Sequence, residues 1–91
     1  MEQNRTIHEL LQLMLDNQHM FIKGLCHWAI IMYHYDIFTK NEYSLLFEFI
    51  NDNKPNNFNT RIEIHGRYYW KKGNIEPRLR WIKKYIQKTK P

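Results

Sequence analysis

Cysteine is nearly missing from this chain. The one residue present, Cys26, excludes an internal disulfide and with it the stapled framework of a small secreted domain. It stands in the apolar run Leu25–Met32, where a buried, inert thiol is expected. No apolar run approaches the roughly 20 residues that span a bilayer. The opening Met1-Glu2-Gln3-Asn4-Arg5 leads into no uncharged signal segment. The expectation is therefore a cytoplasmic protein without a membrane partner. Acidic side chains are scarce in one region only: after Lys54 there are two, Glu63 and Glu76.

The signatures of catalysis and metal binding are missing as well. Lys72-Gly73 stands alone, with no phosphate-cradling GxxxxGK[ST] loop around it, and there is no Gly-x-Ser-x-Gly elbow. Cys26 and His27 are adjacent, so on a helix they diverge and form no nucleophile–base pair. Five histidines show no HxxxH or HExxH spacing, and no CxxC occurs. His27 and His34 are two helical turns apart, about 10 Å, too far to share an ion unaided. His65, beside Gly66, reads as a turn residue or a phosphate donor. No catalytic residue, metal site or cofactor is expected, and the protein is read as a non-enzyme.

What the chain does have is helical patterning. Ninety-one residues make a single domain, 1–91, burying only about 60–65% of its unfolded surface. Thr6 and Glu9 form a capping box, and Ile7, Leu10, Leu11, Met14 and Leu15 share one face, predicting a helix from Ile7 to Gln18. Leu25, Trp28, Ala29 and Met32 form a stripe broadened by Ile30, Ile31 and Tyr33. That pattern predicts a central buried helix from Lys23 to Tyr35. Thr39 and Glu42 repeat the capping box before Tyr43, Leu46, Phe47 and Ile50, and the polar run beginning at Asn51 ends that helix. Ile62 and Ile64 alternate with polar residues, and His65-Gly66 suits a tight turn into Arg67–Trp70; a short hairpin is favoured there over an irregular connection. A last helix begins near Asn74 or Glu76, with Pro77 in its first turn and Ile75, Leu79, Ile82 and Ile86 as its inner stripe. The fold class is mainly α, a compact bundle of about four helices with a short hairpin or irregular loop before the last one.

Charge divides the chain in two. Residues 1–54, the acidic helical part, hold four Lys/Arg against seven Asp/Glu, a net of −3; residues 55–91, the basic aromatic part, hold ten against two, a net of +8. The basic residues alternate with rings. Arg67, Lys71, Lys72, Arg78, Arg80 and Lys84 would supply charge to phosphates, and Tyr68, Tyr69, Trp70 and Trp81 stacking faces. Successive side chains diverge by 100° or 180°, so at least one of Tyr68, Tyr69 and Trp70 must be partly exposed. Arg78 lies on the line of Trp81 and Tyr85 and is the preferred ligand contact. Either Arg78 or Arg80 would otherwise pair with Glu42, Glu48 or Asp52.

The run Tyr69-Trp70-Lys71-Lys72-Gly73-Asn74-Ile75-Glu76-Pro77-Arg78-Leu79-Arg80-Trp81-Ile82 resembles small proteins of bacteriophages and prophages. In those an aromatic pair, a glycine, a Pro-Arg and a Trp-Leu/Ile close a short helical chain. Gly24-Leu25-Cys26-His27-Trp28 is similar too, so the likeness covers most of the sequence. It implies a viral origin, a location in the host cytoplasm, and an accessory role such as inhibition of host defence. Some such proteins bind defence nucleases; others are sponges, homo-oligomers that sequester signalling nucleotides between protomers. A small anionic nucleotide held by the basic aromatic surface is the first expectation. Nucleic-acid binding, or protein–protein inhibition of a host defence nuclease, is the alternative.

Overall fold

A computed structural model describes residues 5–58, 61–70 and 72–88, with the backbone alone for 57, 61, 62 and 70. Four α-helices and one hairpin follow in the order α1 (Ile7–Asp16), α2 (Leu25–His34), α3 (Lys40–Asn53), β1 (Arg61–Ile64), β2 (Arg67–Trp70) and α4 (Ile75–Lys88). The fold is mainly α, with the hairpin directly before the last helix. No helix among the described residues is long and apolar enough to cross a membrane.

Both capping boxes form. Thr6 and Thr39 each accept from the amide of the glutamate three residues on, and Glu9 and Glu42 each reach back to the threonine amide. Helix α1 stops at Asp16, short of Gln18, and a 3-10 turn over Gln18–Met20 follows. The Asn17 side chain there bonds the Leu13 carbonyl, competing with helix continuation. Helix α3 runs two residues past Asn51 to Asn53, whose side-chain amide bonds back to the Phe49 carbonyl. Beyond it Lys54 is extended, as a residue before proline should be.

Helix α2 ends in a Schellman turn, with Ile37 N–H bonding Met32 O at 2.9 Å and Asp36 N–H bonding Tyr33 O at 3.0 Å. Asp36 takes the left-handed position at φ 61° that glycine usually fills. The core draws on every helix: Leu10, Leu11 and Met14 from α1, Trp28, Ala29 and Met32 from α2, Leu46 and Ile50 from α3, and Leu79 and Ile82 from α4. Trp28 is sealed, its indole N–H bonding the Asn17 carbonyl at 3.2 Å. Cys26 is half-buried rather than buried, because it lies on the side of α2 that faces Asn51. Burial still pushes its thiol pKa up, so it remains protonated and unreactive.

One ion pair closes the α2–α3 corner. Arg5 meets both carboxylate oxygens of Glu42 at 2.9 Å, adds its own backbone N–H at 2.8 Å, and bonds the Ile37 carbonyl. Glu42 is 2% exposed. The Arg5 bonds hold its carboxyl at about 2, well below the ordinary value. A carboxyl lowered on folding stabilises the native state above its unfolded pKa and loses that contribution as pH falls through the folded value. Stability should therefore drop by about 2–3 kcal/mol between about pH 4.5 and pH 2 through this group. In urea unfolding followed by circular dichroism, Glu42→Gln should start less stable at pH 7 and show a flatter decline over that window. Parallel declines would mean the pair contributes nothing specific.

Candidate nucleic-acid interface

The hairpin is built for a tight reversal. His65 and Gly66 take φ 52° and 77°, the two positive values that a type I′ turn requires and that match the natural twist of the strands. The register pairs Arg61 with Trp70, Ile62 with Tyr69, Glu63 with Tyr68 and Ile64 with Arg67. Every described side chain from Glu63 to Tyr69 is exposed, including Ile64 at 49%, Tyr68 at 59% and Tyr69 at 46%. Cross-strand partners share a face, so Ile64, Arg67 and Tyr69 lie on one side of the ribbon and Glu63 and Tyr68 on the other. With this arm the molecule measures 50 × 27 × 24 Å.

An isolated two-stranded ribbon is marginal in water, and its support comes from Arg78. This residue was expected at the ligand, and the structure corrects that: it is 3% exposed and lies in the interior. Its guanidinium donates to Phe58 O at 2.8 Å and Asn74 O at 2.6 Å. Its charge also sits over the Phe58 ring at 4.9 Å and the Phe21 ring at 6.0 Å. Phe58 precedes the first strand and Asn74 follows the second, so one side chain ties both feet of the hairpin. Gly73 lies between, its N–H bonding Lys23 O at 2.8 Å. A Cβ on Gly73 would fall 2.5 Å from the guanidinium carbon, so a larger residue there would have to push the Arg78 guanidinium out of its place. Lys23 holds the left-handed φ of 61° while presenting that carbonyl.

Trp81 is half-buried in a ring cluster with Phe58 at 6.3 Å, Phe49 at 6.1 Å and Tyr85 at 6.0 Å. It serves packing more than recognition. Arg80 and Lys84 are exposed, and so are Lys83 and Lys88. At about 100° per residue these four cations fall on one arc of α4, opposite the arc of Leu79, Ile82 and the inward Arg78. They span about 12 Å of helix. Lys72 is exposed at the base of the arm, its ammonium 6.0 Å from the Phe21 ring. The Trp70 side chain and Lys71 lie outside the described residues. Among those that are described, Arg67, Lys72, Arg80, Lys83, Lys84 and Lys88 form no ion pair with a carboxylate. Of Glu42, Glu48 and Asp52, the acids expected to pair with Arg78 or Arg80, Glu42 is occupied by Arg5.

His65 is a turn residue, and the described residues contain no group of three His, Cys, Asp or Glu able to hold a metal. Among the clefts lined wholly by described residues are one of about 510 Å³ formed by His19, Met20, Ile22, Ile31 and Tyr35 and one of about 180 Å³ formed by Cys26, His27, Ile30, Tyr43 and Phe47. Neither carries a lysine or arginine. Arg5 and Gly73 are the residues that inspection of the sequence missed. The signal for Gly73 was its place just outside the helix that carries Arg78. Arg5 offered none beyond its position before the first capping box.

No family model, curated protein or solved structure matches the chain.

Removal of the clamp should loosen the body and the arm together. Arg78→Ala forfeits two charge-assisted hydrogen bonds and leaves two carbonyls short of a donor, a loss of about 3 kcal/mol. Gly73→Ala should destabilise the same contact without touching Arg78. Chemical denaturation should show both variants shifted in the same direction, Arg78→Ala further. An Arg78→Ala protein as stable as the parent would refute the clamp.

Proposed function

We propose that this protein binds nucleic acid, non-enzymatically, through the exposed hairpin and the cationic arc of α4. The observation that carries this reading is the placement of the free charge. Six exposed cations lie along an arm and a helix face, without carboxylate partners among the described residues. A small nucleotide needs cations that converge on one point. Here the arginine best placed to provide that convergence, Arg78, is enclosed inside the protein. Spread charge suits a polyanion, whose phosphates repeat along a line and release counterions when neutralised. The exposed tyrosines add faces that can stack on bases or donate to phosphate oxygens. An accessory role in a phage, with the chain acting on host or viral nucleic acid, is the setting that the resemblance of its C-terminal pattern supports.

Fluorescence anisotropy with a 30-nucleotide strand and a 30-base-pair duplex, at about 50 and 200 mM salt, tests the reading. Affinity should fall on the log–log plot with a slope of about −0.9 per phosphate neutralised on duplex, so about −3 to −4 for the four cations of α4 alone. Arg80→Glu with Lys84→Glu should weaken binding at least tenfold and make that slope shallower, while the helical circular dichroism signal stays unchanged. Flat titrations with both probes at the lower salt would overturn the proposal. Saturation by one equivalent of a mononucleotide or dinucleotide would return the protein to the sequestration of small ligands.

A further inference from the structure

Resting on that reading, we infer that the nucleic acid is B-form duplex DNA and that the hairpin enters its major groove. The dimensions fit. Paired strands lie about 4.8 Å apart, so the ribbon with its side chains fits a groove about 12 Å wide that admits a two-stranded β-ribbon. Four residues per strand give an arm about 13 Å long, enough to reach the floor of a groove about 8.5 Å deep. The minor groove, about 6 Å wide, excludes it, and the major groove of A-form RNA is too narrow and deep for side chains to read.

The placement of the residues points the same way. A single strand lying on a platform stacks on one face. This ribbon instead exposes Tyr69 on one face and Tyr68 on the other, as an element flanked by two groove walls would. The tip presents Ile64, His65, Gly66 and Arg67, all exposed. Gly66 keeps the tip slim. Arg67 can meet guanine O6 and N7 in bidentate fashion, Ile64 the methyl group of thymine, and the His65 ring an acceptor on a base edge. The tyrosine hydroxyls, set back from the tip, reach the height of the phosphates. The Arg78 clamp bonds the chain on either side of the ribbon, at Phe58 and Asn74, and limits how far its two ends can part. Insertion into the groove therefore costs little ordering of the arm.

The full chain should be titrated against three probes of one 20-residue sequence: DNA duplex, RNA duplex and single-stranded DNA. The expected order places the DNA duplex at least tenfold tighter than either of the others. Arg67→Ala with Tyr69→Ala, both on exposed side chains that leave the body intact, should cost at least tenfold on DNA duplex and abolish its preference over RNA duplex. Charge reversal at Arg80 and Lys84 should weaken all three probes in similar proportion. RNA duplex or single strand bound as tightly as DNA duplex would sink the groove inference while leaving nucleic-acid binding standing. So would a DNA-to-RNA ratio unchanged in the Arg67/Tyr69 variant. Absence of binding to any probe would sink both.

Discussion

A guanidinium buried without a carboxylate decides the shape of this molecule. Arg78 is held in the interior by two carbonyls and two ring faces. Desolvation lowers its pKa, yet an arginine starts so high that it keeps its charge. Taking that charge from water is costly, and the compensation is geometric. Its planar fork satisfies main-chain acceptors on both sides of an excursion of the chain, and the excursion is the hairpin. Arg5 shows the opposite solution at the other end of the fold. It sits at the rim, takes the buried carboxylate of Glu42, and has its own pKa raised by that hydrogen bond. The body thus contains one conventional buried pair and one cation held by two backbone carbonyls and two ring faces, with its buried Nε left without a hydrogen-bond partner.

This arrangement explains how a small domain can carry so much charge of one sign without losing its core. Helix α4 separates its functions by angle. Leu79 and Ile82 pack inward with Arg78 among them, Trp81 and Tyr85 join a ring cluster with Phe49, and the remaining cations look outward. Repulsion along the outer arc is tolerable in water, where charges a turn apart interact weakly. The lysines near the helix C-terminus also meet the favourable end of the dipole. Apart from Arg78, the described cations of α4 are therefore kept at the helix surface.

Much of the architecture was legible in the sequence where the governing interactions are local. Thr6/Glu9 and Thr39/Glu42 mark helix starts because a capping box closes within four residues, and the structure contains both. The hairpin was legible for the same reason, since His65-Gly66 supplies the two positive φ values between alternating strands. The roles of the arginines were not. Position on a helical wheel placed Arg78 beside Trp81 and Tyr85, which is correct, but could not say whether that line faced solvent. The answer depends on Phe58, twenty residues earlier, and on Gly73, which removes the Cβ that would block the guanidinium. Long-range bonds between a side chain and backbone carbonyls leave no periodic trace. The same applies to Arg5, whose partner lies 37 residues away.

The burial of Arg78 also changes what recognition by this protein can consist of. On the proposed reading, with the most central cation enclosed, nucleic acid would meet only peripheral groups, each exposed and screened by salt, and each worth little alone. Such groups become effective by number and by the rigidity of the surface that displays them. The first requirement is met by the series of cations along α4 and the arm. The second falls to the clamp, because a hairpin with swivelling feet would have to be ordered on binding, and that entropy loss would offset its attraction to the ligand. If the protein binds nucleic acid as proposed, Arg78 can therefore matter to binding without touching the ligand. Its loss would weaken the hairpin's contribution while leaving the charge of the outer helix face intact.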